Sequence, residues 1–252
     1  MTRLTASLYN LWEKGNGRNI GERLRKGMDD IMLSKAERIK RTKAPEPPAE
    51  WGDRVPPGQV LTDRFPILHE GEVPRYDMKQ WNLRVFGEVE EERTFTYDDL
   101  LALPRTRIDC DIHCVTRWSK LDTSWEGVRF RDLFRLLKVK PDAKYVMVHA
   151  DPDYETNVPL EDLMGDHVLL AFNYNDAPLT DKHGWPLRLL VPHLYFWKSA
   201  KWLRGFEFMK EDRPGYWEQR GFHIYGDPFK EMRFSGEDLN IPEDEWHHKD
   251  YD

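Results

Sequence analysis

The chain has 252 residues, of which 38 are Lys or Arg and 45 are Asp or Glu, for a formal net charge of −7. That length fits one full-sized domain with a small appendage, and a 39% hydrophobic fraction with 13% aromatics excludes a wholly disordered chain. The acidic balance excludes a general nucleic-acid binder, so an anion site must be a local pocket.

Residues 1–50 carry 11 basic against 7 acidic side chains and read as an appendage. Leu24, Met28, Ile31, Met32 and Ile39 fall near helical spacing, which predicts a basic amphipathic helix packed on its own domain, ending before the linker Ala44-Pro45-Glu46-Pro47-Pro48. Residues 51–234 form the expected core domain. Residues 235–252 form an acidic tail, in which His247 and His248 have no further metal ligand placed by spacing. The longest apolar runs, such as Val168 to Phe172, are far shorter than the roughly 18 to 20 residues that span a bilayer, so no transmembrane segment is expected. No apolar run follows the basic N-terminus in the manner of an export signal, and a cytoplasmic location is expected.

In chain order, Trp81 to Val89 predicts a strand, and Thr96 caps a short helix that carries Asp98 and Asp99 in its first turn. The clearest alternation follows, with Ile108, Cys110, Ile112 and Cys114 on one face and Arg107, Asp109, Asp111 and His113 on the other, predicting a strand that runs up to Cys114. Phe130 to Leu137 predicts a helix, Tyr145 to His149 a buried strand, Pro159 to Met164 a helix start and Val168 to Asn173 a strand. After a turn at Asn175-Asp176 come strands at Leu187 to Val191 and Trp202 to Met209. Strands and short helices without a regular βαβ rhythm predict an α+β fold.

Along an extended strand Cys110 and Cys114 stand about 13 Å apart, too far for a disulfide or for one shared zinc ion. Cys110 is expected to be a buried core thiol. For Cys114 two readings stay open: a second core cysteine, or a thiolate favoured by the polar and cationic run Val115-Thr116-Arg117-Trp118-Ser119 and suited to attack or to a soft metal. A second constellation, His183, Arg188, Lys198, Ser199 and Lys201, flanks an apolar strand. Its guanidinium and ammonium groups suit a phosphorylated ligand, although the two lysines by themselves read as surface residues. Neither a G-x-x-x-x-G-K-[ST] loop nor a G-x-G-x-x-G fingerprint is present to explain it.

The two constellations together resemble a known arrangement. His113-Cys114-Val115-Thr116-Arg117-Trp118-Ser119, with Trp125-Glu126-Gly127-Val128, resembles the molybdenum-cysteine motif of the sulfite oxidase family, especially its bacterial members. Leu169 to Leu179, His183-Gly184-Trp185-Pro186-Leu187-Arg188, Val191-Pro192 and Lys198-Ser199-Ala200-Lys201-Trp202-Leu203 look like that family's cofactor-binding segment. The likeness spans about residues 55–212 in order.

It implies a sulfite-oxidase-type molybdopterin-binding fold of mixed sheets and short helices, with molybdenum-molybdopterin as cofactor. Cys114 would ligate the metal, and Cys114, Tyr154 and Arg117 would be the catalytic residues. His69, His113, Thr156, Asn157, His183, Arg188, Lys198, Ser199 and Lys201 would hold the cofactor. The implied reaction is oxygen-atom transfer on a small S- or N-oxide or a sulfite-like oxyanion, with electrons exchanged with a separate donor or acceptor protein. Where sulfite oxidases continue Asn-Arg-Arg after the cysteine, this chain has Val115-Thr116-Arg117, so sulfite itself is expected to be a poor substrate. The chain has no C-x-x-C-H haem motif. The alternatives are a molybdopterin carrier without turnover and a metal-free hydrolase that uses Cys114 as nucleophile.

Overall fold

The computed structural model describes residues 49–69 and 71–235. The expected N-terminal helix and nearly all of the acidic tail lie outside these residues. Within them, strands form two sheets joined by helices of a turn or so. This is the α+β architecture of mixed sheets and short helices that the sequence predicts.

The first sheet centres on β5 (Trp118–Arg129), the longest strand described. Beside β5 run β4 (Arg105–His113), antiparallel, and β1 (Val60–Leu61), parallel over its first two residues. On its other side β8 (Leu169–Tyr174) runs antiparallel, followed by β10 (Arg188–Leu190) and the short β9 (Ala177–Pro178). The second sheet has the order β3 (Arg93–Thr96), β2 (Asn82–Gly87), β11 (Leu203–Met209), β6 (Tyr145–Ala150), β7 (Tyr154–Pro159). There β11 pairs parallel with β2 and antiparallel with β6.

One hydrophobic cluster draws on both sheets. It contains Leu83 and Val85 of β2, Val146 and Val148 of β6, and Phe206 and Phe208 of β11, together with Val128 of β5, Leu170 and Phe172 of β8, and Leu189 of β10. Alternation along β10 then decides what its opposite face carries. Leu187 and Leu189 enter this core, and Arg188 between them is turned to the other side, where it is 1% exposed.

The helices run for four or five residues, and of the three described only the first has a side-chain cap. In α1 (Tyr97–Leu101) Thr96 and Asp99 form a reciprocal capping box, the Thr96 hydroxyl accepting from the Asp99 N–H at 3.2 Å and the Asp99 carboxylate accepting from the Thr96 N–H at 2.8 Å. The Thr96 hydroxyl, donating to the Asp99 carboxylate, holds its pKa below the ordinary range. Helix α2 (Phe130–Phe134) stops three residues before the expected Leu137, and α3 (Leu160–Leu163) follows β7.

The strand leading to Cys114 is less regular than its alternation. Cys110 pairs with Thr123 but Ile112 pairs with Lys120, so β5 carries an extra residue at a bulge. Asp122 sits there in the left-handed region, its N–H bonded to Asp111 at 3.0 Å, and Arg54 bridges the carboxylates of Asp111 and Asp122. The shift changes burial along β4. Ile112 is fully buried, while Cys110 is half-buried beside Thr123, outside the hydrophobic core expected for it. Burial, above all, still pushes the Cys110 thiol up to about 12, which leaves it protonated. His113, assigned by alternation to the polar face, is buried too, because the strand end passes beneath Ser119 and Phe229.

Candidate active site

Cys114 follows β4 directly and opens the turn into β5. Its N–H bonds to Trp118 O at 2.9 Å, its carbonyl accepts from the Arg117 N–H at 3.0 Å, and Arg117 takes the left-handed conformation (φ 72°) that closes so tight a hairpin. Two distant groups pin the turn. Gln59 Nε2 donates to the Cys114 carbonyl at 3.0 Å, and Arg233 donates to Val115 O at 2.9 Å and to Pro57 O at 3.0 Å. Arg117 is itself buried, with a guanidinium nitrogen 3.4 Å from Gly58 O and 4.0 Å from the Glu231 carboxylate.

The thiol sits 8% exposed and accepts a hydrogen bond from the Thr116 hydroxyl at 3.1 Å. Burial pushes the thiol pKa up, against the pull of the Thr116 hydrogen bond and the charges of Arg233 and Lys201. The protein alone therefore favours the thiol, and a bound cation would favour the thiolate.

His183, Arg188, Ser199 and Lys201 come together beside β10 because the stretch 199–203 hydrogen-bonds along that strand, Leu189 N to Ala200 O and Leu203 N to Leu187 O. Arg188 donates to the carbonyls of His183 (2.9 Å) and Ser199 (2.8 Å), and the Ser199 hydroxyl accepts from Val191 N at 2.8 Å. Gly184 makes the convergence possible. Its φ is +109°, and a Cβ there would lie 3.0 Å from Lys201 Cβ and 3.2 Å from Arg188 Cβ.

The Arg188 guanidinium packs on aromatic rings, 4.4 Å from the Phe196 centroid and 5.4 Å from Trp125. No carboxylate among the described residues pairs with it, and its Nε–H has no partner. Burial lowers its pKa to about 9. Lys201 donates to Lys182 O at 2.7 Å, and burial, followed by repulsion from Arg188, lowers it to about 7.

His183 stacks on Phe65 (centroids 4.2 Å apart), with Nε2 3.2 Å from Phe65 O and Nδ1 2.8 Å from the Thr180 hydroxyl. A carbonyl can only accept, so Nε2 carries the proton and Nδ1 accepts from Thr180. Burial, first of all, depresses this imidazole to about 4, and it is neutral at ordinary pH.

Lys198, Thr156, Asn157 and His113, expected to hold the cofactor, and Tyr154, expected to be catalytic, spend polar atoms on contacts within the protein. Lys198, wholly buried, lies 2.6 Å from the Glu218 carboxylate and donates to Asn157 Oδ1 at 2.9 Å and Ile224 O at 2.7 Å. Thr156 and Trp197 donate to the same Glu218 oxygen, and Asn157 donates to Asp212. Tyr154 donates its phenol proton to Trp197 O at 2.6 Å. His113 Nδ1 lies 2.8 Å from the Ser119 hydroxyl, and burial holds it near pKa 4. His69 is exposed, its Nδ1 3.1 Å from Gly71 O and its ring edge-on to Trp202.

Sequence reasoning passed over Gln59, Phe65, Tyr195 and Arg233. The contacts that bring Gln59 and Arg233 to the Cys114 turn span 55 and 118 residues, a separation no local spacing reveals. Phe65 and Tyr195 stand in no motif that would single them out.

A buried thiol at a strand end, a buried arginine without a counter-ion among the described residues and a half-buried lysine on a mixed two-sheet scaffold suit an anionic ligand held beside a sulfur donor. The profile of the oxidoreductase molybdopterin binding domain matches residues 70–217, more than half of the chain, and the chain belongs to that family. It is thereby a molybdenum-dependent oxidoreductase of the sulfite oxidase type, with molybdenum-molybdopterin as its cofactor.

It is 51% identical over 188 residues to the uncharacterised oxidoreductase YuiH of Bacillus subtilis, covering 74% of this chain and 95% of that one. It is 29% identical over 173 residues to the putative protein-methionine-sulfoxide reductase subunit YedZ1 of Azospira oryzae, covering 68% and 66%. It is also 29% identical over 186 residues to the mitochondrial sulfite oxidase of Drosophila melanogaster, covering 63% of this chain but 32% of that enzyme. Among solved structures, the sulfane dehydrogenase SoxCD of Paracoccus pantotrophus superimposes with a TM-score of 0.51 at 25% identity, over 55% of this chain and 40% of that one. The chain thus spans nearly all of the first relative and two thirds or less of the others.

The residues fit such a group. Arg188 Nε–H, Trp118 Nε1–H and the Tyr195 hydroxyl are buried and make no hydrogen bond among the described residues. Buried polar atoms in native proteins seldom go unpaired; Trp118 opens β5 just after the Cys114 turn, and Arg188 stands on β10, along which the stretch that carries Lys201 runs. A soft sulfur donor suits molybdenum beside dithiolene sulfurs, and cations that no carboxylate among the described residues neutralises suit a phosphate.

Proposed function

We propose that the chain transfers an oxygen atom to or from a small substrate, an S- or N-oxide or a sulfite-like oxyanion, with the Cys114 thiolate as protein ligand to molybdenum. Arg188, Lys201, His183 and Ser199 hold the pterin and its phosphate, Arg233 and Lys201 supply positive charge to the thiol, and Arg117 closes the turn that carries it. When bound, the cofactor supplies the two-electron redox step. The protein supplies position and field. Arg233 and Gln59 fix the Cys114 turn, Phe65 and Phe196 keep water from Arg188, and the neutral His183 holds Arg188 through its backbone carbonyl while its ring is fixed by Phe65 and Thr180.

In the reductive sense the balance is one oxygen atom leaving the substrate as water with two protons and two electrons. In the oxidative sense water supplies the oxygen and the same protons and electrons are released. The electrons pass to or from a separate carrier protein. No helix among the described residues is long and apolar enough to cross a membrane, and a cytoplasmic site of action is part of the same proposal, open to test by cell fractionation.

The observation that carries this reading is a buried thiol in a turn held by Arg233, together with a buried Arg188 that pairs with no carboxylate among the described residues and meets Lys201 across Gly184. The test is metal analysis and fluorescent pterin detection on protein made in a host that synthesises the cofactor. Wild type and Cys110→Ser should carry molybdenum, while Cys114→Ser should lose turnover and change the metal's spectrum. Equal molybdenum chemistry in both serine variants overturns the assignment, and full loading without turnover of any oxide or oxyanion makes the chain a carrier.

A further inference from the structure

Both cysteines of the chain meet a threonine hydroxyl, and the two pairs are built differently. Cys110 Sγ lies 3.8 Å from Thr123 Oγ1, but that hydroxyl donates to the Cys110 carbonyl and accepts from Trp125 Nε1 at 2.8 Å, so its proton goes to the backbone. At Cys114 the Thr116 hydroxyl donates to the sulfur itself, at 3.1 Å. A thiol is a weak acceptor, and a threonine in a turn more commonly bonds nearby backbone. The contact gains strength when the sulfur carries charge, because a hydrogen bond to an ionised acceptor is roughly twice as strong as a neutral one.

The turn fixes this donor. Arg117 N–H bonds to the Cys114 carbonyl at 3.0 Å, with Arg117 left-handed at φ 72°, and Cys114 N–H bonds to Trp118 O at 2.9 Å. Gln59 and Arg233 grip carbonyls of the same turn, those of Cys114 and Val115, whereas Thr116 grips the sulfur. The Thr116 backbone acts on the thiol in the same direction as its hydroxyl, both favouring the thiolate. Val115 and Arg117 are buried on either side, but Thr116 is half-buried, so trimming it opens to solvent rather than leaving a sealed cavity.

We propose that Thr116 is a positioning residue that sets the reduction potential of the bound molybdenum: its hydroxyl donates to the Cys114 thiolate, draws charge from the sulfur and so favours the metal's reduced states. This rests on the reading of Cys114 as the protein ligand to the metal. Hydrogen bonds to ligand sulfurs are a recognised lever on metal potentials, since a sulfur that gives less charge to the metal leaves it easier to reduce.

The test is a redox titration of molybdenum-loaded wild type, Thr116→Val, Thr116→Ala and Thr116→Ser, followed by the paramagnetic signal of the one-electron-reduced metal and by the sulfur-to-molybdenum absorption band. Thr116→Val keeps the shape and removes the hydroxyl, and Thr116→Ser keeps the hydroxyl. Thr116→Val and Thr116→Ala should load molybdenum as wild type does and move the band to longer wavelength. At the wild-type midpoint their ratio of reduced to oxidised metal should be roughly tenfold smaller, equivalent to about 59 mV for a one-electron step. Thr116→Ser should return band and potential to wild-type values, a rescue that packing alone does not give. A wild-type band and potential in loaded Thr116→Val or Thr116→Ala overturn the role of Thr116. So does a Thr116→Ser that shifts as far as Thr116→Ala, or failure of every Thr116 variant to take up metal, which makes the residue part of the fold. These outcomes leave the oxidoreductase reading intact, provided that Cys114→Ser alters the metal's spectrum. A wild type that takes up no molybdenum in a competent host, or a metal spectrum indifferent to Cys114→Ser, overturns both.

Discussion

The guanidinium of Arg233 donates to the carbonyl of Val115 across 2.9 Å, and its other terminal nitrogen lies 3.0 Å from Pro57 O and 3.4 Å from Gly58 O. One buried side chain near the end of the described residues thus clips together the segment before β1 and the turn that carries Cys114. The family match ends at residue 217, so this clip comes from chain beyond it.

Replacing the clip should loosen the turn. Arg233→Met keeps the stem and strands buried carbonyls, for an expected loss of about 3 kcal/mol, read as a fall in the urea midpoint. Arg233→Lys should recover only part, because an ammonium cannot reproduce the fork. A loss within about 0.5 kcal/mol, the usual scatter for a surface change, would show that the turn holds itself.

Lys198 and Glu218 form a pair with side chains 0% and 1% exposed and charged atoms 2.6 Å apart. Burial lowers the lysine pKa, and Glu218 opposes that shift. Breaking such a pair from one side leaves an uncompensated charge, so Lys198→Met should cost about 3–5 kcal/mol, and Lys198→Met with Glu218→Leu should regain much of it. A double-mutant cycle measures the coupling. The opposite pattern, a stable single variant that has lost pterin, would return Lys198 to the cofactor.

These two residues show where sequence reading succeeds and where it runs out. The capping box at Thr96, the strand into Cys114 and the strands at β8, β10 and β11 are local patterns, written within a few residues by alternation and cap chemistry. Strand β5 was hidden because Lys120, Asp122 and Glu126 break its apolar run and its bulge interrupts the period. Strand β7 is hidden because the polar run Glu155-Thr156-Asn157 shows no apolar alternation, whereas Thr156 and Asn157 are buried against Glu218 and Asp212. At the site, Cys114 and Arg188 were marked by residue type and neighbours. Arg233 was not, since its meaning lies in contacts across the fold.

His183 gives the apo-protein an acid sensitivity of definite sign. Its pKa near 4 in the fold is below the ordinary 6.5, so between those values the unfolded chain takes up a proton that the fold refuses. Stability from this group is complete above about pH 6.5 and is lost as pH falls toward 4. With the half-buried ring discounted for solvent screening, the loss is about 1–2 kcal/mol. Chemical denaturation at several pH values should give a shallower slope for His183→Gln than for wild type in this window. Identical slopes would mean that the ring is already protonated in the fold.

Arg188 separates a strut from a ligand. In the cofactor-free chain two effects of Arg188→Met oppose each other: a buried charge without a carboxylate is removed, which favours the fold, and the carbonyls of His183 and Ser199 lose their donor, which disfavours it. Unpaired carbonyls cost roughly 1–3 kcal/mol each, comparable to the relief of the charge, so the apo stability should change by only about 1 kcal/mol. The loaded protein is different, because there the guanidinium faces an anion in a dry site and a charge-assisted contact of about 1.5–3 kcal/mol disappears. Pterin and molybdenum per chain should then fall at least about tenfold at limiting cofactor, with the urea midpoint of the apo form nearly unmoved. Arg188→Lys should load to an intermediate level, since lysine keeps the charge and loses the planar fork. Full occupancy in Arg188→Met would remove the guanidinium from the cofactor site, and collapse of the apo fold would make Arg188 a strut between β10 and the 199–203 stretch.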